Sequence, residues 1–333
     1  MRITTNMIRR NYQNNLGSAM SGLEQARRQV ETGRRFGSSY EDPSAAARGT
    51  VLETRLARNA DYTSTVKSIQ KWQDTQEDTI TQLSSMAKSI GEDYSTAAMN
   101  DPTGETGRSA YAQNLRALQK SMIITLNAKY GNAYVMAGSD ALNAPFELSA
   151  DGKVLYRGID VDSSDPDDQA VLAELSRETA YVDLGYGLTF SGGEVVSSSA
   201  FDSAFPGINA VGYGQTEDGT SKNLIVLAGK MADLLDEDVF NTEEYGKLWT
   251  QFKEGSSEMS NQLTGIGTKS QLLESSLERL QNENLNIKEQ YKGDVGIDEA
   301  EAIMNFSWAQ YVYNASLKIG TSIFSASLLD FLK

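Results

Sequence analysis

Apolar residues recur along much of this chain at alternating steps of three and four positions, a spacing typical of coiled-coil helices. The longest run occupies residues 245–291, where fourteen consecutive positions keep the alternation and eleven are apolar or aromatic. A helix of that length would extend roughly 70 Å at 1.5 Å per residue. The polar seam positions Ser256, Ser270 and Asn284 would fix the register of such a helix at some cost in stability.

Shorter runs of the same kind precede and follow this segment. They occupy residues 12–30, 62–94, 111–130 and 302–323. The last of them belongs to a chain end so rich in apolar side chains that it needs a partner to cover it. The pattern therefore predicts a mainly α fold, an elongated antiparallel helical and coiled-coil bundle built from both ends of the chain.

The pattern changes between residues 137 and 221, where Gly, Ser and Asp become frequent and short alternating stretches replace the heptads. The segment FELSADGKVLYRG predicts a hairpin that turns at Asp151-Gly152, and residues 180–190 predict a second strand pair or a bent strand. We therefore expect a small β-rich domain inserted into the helical bundle. Three domains are predicted: residues 1–41 with 293–333 as a terminal helical core, mobile in the monomer, 42–136 with 222–292 as a coiled coil, and 137–221 as the inserted outer domain.

The first helical run is interrupted within TGRRFGSSYEDPSAAARGTVLE. Gly33 and Gly37 make a continuous helix improbable there. Asp42 is well placed as an N-cap, with Pro43 at the first position of a new helix. The sequence predicts a break and a restart between residues 32 and 43.

Composition narrows the range of functions. The formal net charge is −15, which disfavours a general nucleic-acid binder. No run approaches the roughly 20 apolar residues that span a bilayer. The start MRITTNMIRRNYQNN also lacks the apolar core of a cleavable signal peptide. Cys and His are both absent, which removes thiolate nucleophiles, zinc–thiolate sites and Ser–His–Asp triads. This composition favours a protein that is not an enzyme, with no catalytic, cofactor-binding or metal-binding residues.

Two motifs that superficially suggest ligand binding are better explained structurally. GIGTKS (265–270) differs from a P-loop because Lys269 follows Thr, and it lies within the longest heptad run. DVDSSDPDD (160–168) lacks the glycine and the closing glutamate of a calcium-binding loop, and we expect a solvated acidic loop.

The segment ETGRRFGSSYEDPSAAARG is similar to the amino-terminal signature of the flagellin family. Three further segments resemble one branch of that family, the flagellar hook-associated proteins of type 3: MRITTNM at the start, YVMAGSDALNAPF (134–146), and SLLDFLK at the end. The resemblance covers both helical ends, about residues 1–146 and 240–333. It is weak in the acidic middle.

This resemblance implies a structural subunit of the bacterial flagellum, outside the cell, at the junction between hook and filament. The implied partners are copies of the chain in a ring, the other junction protein on the hook side, flagellin on the filament side, and a cytoplasmic export chaperone on the C-terminal helix. Export would use the flagellar type III apparatus without a cleaved signal, with no nucleic acid or membrane as partner. The candidate assembly residues are Leu16, Leu23, Val30, Arg34, Arg35, Asp42, Pro43, Phe306, Tyr313, Ile323, Phe324, Leu328, Leu329 and Phe331.

Arg34 and Arg35 allow two interpretations at this point. They would bridge to acids of another layer or subunit, or form a basic loop in water. Two other functions also stay open. One is a flagellin that forms the filament itself. The other is a coiled-coil protein whose middle domain is an enzyme, which would need a cleft with perturbed carboxylates among Asp160–Asp168 or near Asp183.

Overall fold

The computed structural model describes residues 5–100 and 104–331. The described residues form two compact units. Tyr62–Leu280 forms one of them, and the described residues on either side of this segment together form the other. We call these the middle unit and the terminal unit. The three-domain division expected from the sequence stays a prediction.

Long helices from both ends of the chain dominate the fold, as the heptad pattern predicts. The α-helices of the described residues are α1 (Thr5–Thr32), α2 (Pro43–Lys88), α3 (Ser95–Asn100), α4 (Glu105–Leu126), α5 (Pro166–Leu175), α6 (Ile208–Val211), α7 (Leu224–Leu235), α8 (Thr242–Val295) and α9 (Glu299–Phe331). A π-helical segment, Ser89–Tyr94, joins α2 to α3. Each predicted heptad run lies largely within one of these helices. The predicted fold class, mainly α with a β-rich insertion, is confirmed.

The strands are short and lie between α4 and α6. They are β1 (Lys129–Tyr130), β2 (Ala133–Tyr134), β3 (Phe146–Leu148), β4 (Val154–Tyr156), β5 (Ile159–Asp160), β6 (Tyr181–Val182), β7 (Phe190–Ser191), β8 (Glu194–Val195) and β9 (Phe201–Asp202). The strands β3, β4 and β5 form an antiparallel sheet in that order, whereas β1–β2, β6–β9 and β7–β8 are antiparallel pairs.

The hairpin predicted in FELSADGKVLYRG is present. Phe146 lies opposite Tyr156, and the turn contains Gly152 with a φ of 79°, a conformation that glycine adopts without a steric penalty. The buried rings of Phe146 and Tyr156 pack with their centroids 4.9 Å apart. This hairpin therefore contributes its cross-strand aromatic pair to the core, while its turn is exposed.

Residues 180–190 do not pair with one another, so the strand pair, one of the two alternatives expected there, does not form. Tyr181–Val182 instead pairs with the distant strand β9. The cause is Asp183, whose Oδ1 accepts the backbone N–H groups of Gly185, Tyr186 and Gly187 at 2.8–3.1 Å. These bonds turn the chain away from the strand direction directly after β6.

The acidic segment DVDSSDPDD also differs from the expected solvated loop, because its second half begins helix α5. Asp165 is the N-cap, and its side chain accepts the N–H of Asp167 at 3.0 Å. Pro166 takes the first helical position, which needs no N–H donor. The local acidity thus complements the N-terminus of a helix.

Two apolar clusters form the core of the middle unit. The larger one combines α2 from Ile80 onward with α4, α7 and the first half of α8. The smaller one comprises Val66, Ile69, Leu184, Phe201, Leu273 and Leu280. Between the two clusters, α2 contributes the polar residues Gln73 and Gln76, each about 1% exposed.

This polar layer connects the long helices to the inserted segment. The amide of Gln76 donates to the backbone oxygen of Val135 at 2.8 Å, and Lys269 Nζ of α8 donates to the backbone oxygen of Asp202 at 2.9 Å. The hydroxyl of Ser270 donates to Glu77 at 2.9 Å. The two glutamines differ, because neither amide atom of Gln73 has a hydrogen-bond partner among the described residues.

This difference predicts opposite effects for one substitution at two neighbouring positions. Gln73→Leu removes a buried amide without a partner and should stabilise the chain by about 1 kcal/mol. Gln76→Leu leaves the Val135 carbonyl without its donor and should destabilise by roughly 1–3 kcal/mol. Urea denaturation of the two full-length variants measures both changes. A loss of stability in Gln73→Leu as large as that in Gln76→Leu would contradict this account.

Candidate assembly surface

The first and last helices of the described chain pack along each other in the terminal unit. On α1, Ala26 is buried and Leu16 and Leu23 are half-buried. On α9, Phe306 and Tyr313 are half-buried. These positions belong to the apolar stripes that the sequence predicts, and such stripes drive two helices together when neither is stable alone.

Helices α1 and α9 come into close contact at Gly320. A Cβ atom at this position would overlap the ring and hydroxyl of Tyr12. Glycine in the interior of a helix is unfavourable by itself, so its presence here is explained by the space that Tyr12 occupies. The contact places Tyr12 of α1 directly beside Gly320 of α9.

The other predicted assembly residues on these two helices fall into two groups. Val30 lies in α1 and is 40% exposed. The remaining positions at the chain end lie in α9, but their side chains are outside the described part of the structure. They are Ile323, Phe324, Leu328, Leu329 and Phe331.

The predicted break between α1 and α2 lies at residues 33–42. Helix α1 ends at Thr32, and Gly33 adopts a φ of 65° while its N–H bonds to the Gln29 carbonyl at 2.9 Å. A left-handed glycine that closes such a bond is a common way to end a helix. We call residues 33–42 the connecting loop.

Arg34 lies in this loop and contacts two helices of the same chain, α2 and α8. Its Nη2 donates to Glu53 Oε1 of α2 and to the Tyr291 hydroxyl of α8, both at 2.8 Å. The Tyr291 hydroxyl donates to the same Glu53 oxygen at 2.8 Å. Burial and the bond to the Glu53 carboxylate raise the pKa of Tyr291. The three side chains form a closed triangle of hydrogen bonds.

Arg35 holds the loop through its backbone and its side chain. Its N–H donates to the Val295 carbonyl at the end of α8 at 2.8 Å, and its carbonyl accepts from Gln29 Nε2 at 2.7 Å. Its guanidinium donates to Asp42 Oδ2 at 2.9 Å. Both arginines thus pair with acids of their own chain, one of which lies in another helix.

The N-terminus of α2 is capped as the sequence predicts. Asp42 Oδ1 accepts the N–H of Ala45 at 2.9 Å, and Pro43 is the first residue of the helix. The bond from the Ala45 N–H holds the pKa of Asp42 below its usual range, and the charge of Arg35 contributes in the same direction. The connecting loop therefore ends in a charged cap.

Three of the carboxylates that an enzymatic middle domain would need, those of Asp160, Asp162 and Asp183, accept structural hydrogen bonds. Lys153 donates to Asp160 at 2.8 Å and Lys230 donates to Asp162 at 2.9 Å. Asp183 accepts three backbone N–H groups, as described above. Among the residues that the structure describes, no group of three acidic side chains is placed to hold a metal ion. No helix in residues 5–100 and 104–331 is long and apolar enough to span a membrane.

The sequence did not indicate that Glu53 and Tyr291 bond to the connecting loop, or that Tyr12 lies against Gly320 of α9. Tyr291 occupies a heptad position and was assigned to the seam, although its hydroxyl bonds to Arg34 and Glu53. Glu53 had no distinguishing pattern, because its partners lie in distant parts of the chain. The glycine inside the last helical pattern, Gly320, was the available signal for the close contact with Tyr12.

Comparison with known proteins finds similar sequences for part of the chain. Residues 3–141 match the family model of the bacterial flagellin N-terminal helical region. Over 153 residues, the chain is 24% identical to flagellar hook-associated protein 3 of Salmonella typhimurium, an alignment that covers 46% of this chain and 48% of that protein. The chain thus spans about half the length of this curated relative.

Solved structures show that the fold is shared more widely. A proposed flagellar hook-associated protein from Vibrio parahaemolyticus gives a TM-score of 0.59 at 16% identity, over 77% of this chain and 100% of that one. Flagellar hook-associated protein 3 from Legionella pneumophila gives a TM-score of 0.55 at 11% identity, over 73% of this chain and 98% of that one. The predicted resemblance to hook-associated proteins of type 3, within the flagellin superfamily, is confirmed.

The contact between Gly320 and Tyr12 predicts the effect of added side chains. Gly320→Ala forces Tyr12 out of place and should destabilise the α1–α9 pair by roughly 1–3 kcal/mol. Gly17→Ala is the matched control, because a Cβ at this position of α1 meets nothing within 4 Å. The control should stabilise the helix by about 0.5–1 kcal/mol.

Thermal unfolding followed by circular dichroism measures both changes. The double variant Gly320→Ala with Tyr12→Leu should recover part of the loss, since the shorter side chain vacates the site. Equal effects of the two alanines would mean that Gly320 is not selected by the contact.

The charged cap of α2 predicts a pH dependence. Because the pKa of Asp42 is lowered in the folded chain, its contribution to stability is present above the ordinary value of 3.8 and is lost as the pH falls through the lowered value. The amide chemical shift of Ala45 should therefore titrate with a midpoint below 3.8. In Asp42→Asn, which keeps a capping oxygen but has no charge, this titration should disappear. A midpoint at or above the ordinary value would refute the assignment.

Proposed function

We propose that this chain is a structural subunit of the bacterial flagellum that forms the junction between hook and filament. The observation that carries the proposal is the pairing of α1 with α9, the helices from the two ends of the described chain, in a protein similar to flagellar hook-associated protein 3. Such a pair is a compact element that neighbouring subunits can extend without rearranging the middle unit. The proposed role is structural and not enzymatic.

The proposed partners follow from that role. Copies of the chain form a ring, the other junction protein binds on the hook side, and flagellin binds on the filament side. The chain reaches the outside of the cell through the flagellar export apparatus without a cleaved signal. A cytoplasmic chaperone holds the C-terminal helix before export.

The terminal helices are the proposed assembly element, and they order fully when neighbouring subunits cover them. Within one copy, α1 covers only one side of α9. The connecting loop would then set the direction in which the helix pair leaves α2. We propose that the predicted assembly residues on both helices contact neighbouring subunits. This includes the residues near the end of α9 whose side chains the structure does not describe.

Deletion of the coding sequence in the source organism tests the role directly. We expect complete hooks, missing filaments and flagellin lost to the medium, scored by electron microscopy and by assay of the medium. Normal filaments would refute the junction role. Absent filaments with no flagellin polypeptide anywhere would show that this chain is itself the filament subunit.

Complementation separates the terminal helix pair from the rest of the chain. The full-length chain should restore filaments, whereas a chain that ends at Gly320 should fail although its middle unit folds. Filaments completed by the shortened chain would show that the end of α9 is not needed for assembly.

A further inference from the structure

Part of helix α8 consists of residues that favour a helix weakly. Residues 255–270 include three Gly, four Ser, two Thr and one Asn, which is ten of sixteen positions. The next sixteen residues, 271–286, include two Ser, three Asn and no Gly. Gly loses the most backbone freedom in a helix, and small polar side chains bond to the backbone in competing conformations, so the deficits add along the segment. Contacts with other elements must therefore hold residues 255–270 in the helix.

Two of the three glycines are not explained by such contacts. A Cβ at Gly255 would come within 2.9 Å of the Leu224 side chain, so the missing side chain lets α7 lie close to α8. A Cβ at Gly265 or Gly267 would meet nothing within 4 Å. Alanine would fit at both positions and would favour the helix more. The helix is therefore weakened twice within three residues without a gain in packing.

The apolar core is interrupted at the same level of the helix. Ile266 belongs to the larger apolar cluster and Leu273 to the smaller one. Between them, the seam position of α8 is Ser270, whose hydroxyl donates to Glu77 of α2 at 2.9 Å. Helix α2 contributes the buried Gln73, whose amide has no hydrogen-bond partner among the described residues. Apolar packing is thus reduced where α8 itself is weakest.

The residues on both sides of the two glycines are held in place. Met259 is fully buried in the larger apolar cluster. Lys269 Nζ donates to the backbone oxygen of Asp202 in the inserted segment at 2.9 Å. Helix α2 has no Gly or Pro between residues 62 and 88 and so offers no comparable weak point. The helical bonds that can open at the lowest free energy are therefore those of the turn around Gly265 and Gly267.

We propose that α8 has a hinge at Gly265–Gly267, where a single turn opens while the helix on either side stays packed. Hinges are short segments that absorb backbone changes, and helices bend at Gly and Ser. The open turn lets the part of α8 in the larger cluster move independently of the part in the smaller cluster. This role accounts for the glycines of GIGTKS, the segment that superficially resembles a P-loop. One copy contains the whole hinge, which therefore operates whatever the chain assembles with.

Native-state hydrogen exchange of the full-length chain tests the hinge. Protection factors, which correct for the intrinsic exchange rate of each amide, are measured at several urea concentrations below the unfolding transition. The amides of residues 265–270 should be at least about tenfold less protected than those of residues 275–280. Their exchange should change little with urea, because a local opening exposes little new surface. The flanking amides should exchange through larger openings, at rates that rise with urea.

The double variant Gly265→Ala with Gly267→Ala closes the hinge without a clash. It should raise the protection of residues 265–270 by roughly 5- to 30-fold, the combined effect of two such changes inside a helix. The matched control is Gly246→Ala, which lies in α8 outside the weak stretch and whose Cβ also meets nothing within 4 Å. It should leave the protection of residues 265–270 unchanged. Both variants favour the helix, so both should fold.

Several results would overturn the hinge. Equal protection in residues 265–270 and in the flanks would mean that no turn opens there. Exchange that rises with urea as steeply as in the flanks would mean that this stretch opens only together with the rest of the middle unit. Unchanged protection in the double variant, or an equal gain in Gly246→Ala, would mean that Gly265 and Gly267 do not determine the opening.

Discussion

A helix from the end of a chain cannot cover its own apolar stripe, and within one copy α1 and α9 cover each other. Their pairing joins residues almost three hundred positions apart, so the ordering entropy is large and the contacts must compensate for it. The approach of Tyr12 to Gly320 shows how they do so, since the bare glycine lets the helices come close. The connecting loop can orient the terminal helices, and the proposed assembly surface can form, only if α1 and α9 pair.

The direction of that pair relative to α2 depends more on backbone bonds and helix caps than on the visible ion pairs. Arg34–Glu53 and Arg35–Asp42 are both about half exposed, and exposed pairs contribute roughly 0–1 kcal/mol each. The bond from the Arg35 N–H to the Val295 carbonyl and the left-handed Gly33 instead restrict the backbone itself. The arginine side chains therefore orient the loop, whereas the backbone contacts determine where it can go.

The sequence predicted the elements whose signals are local and periodic. Heptads located the long helices, and Gly33 with Asp42-Pro43 located the break between α1 and α2. The pairing of β6 with β9 was missed, because two-residue strands have no usable period and Asp183 redirects the chain through its side chain. The triangle of Arg34, Glu53 and Tyr291 joins the connecting loop to α2 and α8, which are distant in the sequence, so residue spacing could not predict it. On α9, the heptad run at residues 302–323 located the side that packs against α1, where Ala302 is buried and Phe306 and Tyr313 are half-buried.

The inserted segment is attached to the long helices by hydrogen bonds to its backbone and by apolar contacts. Gln76 and Lys269 donate to the backbone oxygens of Val135 and Asp202, and Arg279 donates to that of Leu184 at 2.9 Å. A carbonyl oxygen is present whatever side chain a residue carries. The long helices therefore supply side-chain donors whose acceptors on the insertion do not depend on its side chains. The insertion also contributes buried side chains to both apolar clusters, among them Phe146, Tyr156, Leu184 and Phe201. Its exposed positions can therefore change at little cost, whereas a smaller side chain at one of these buried positions would leave a cavity against the long helices.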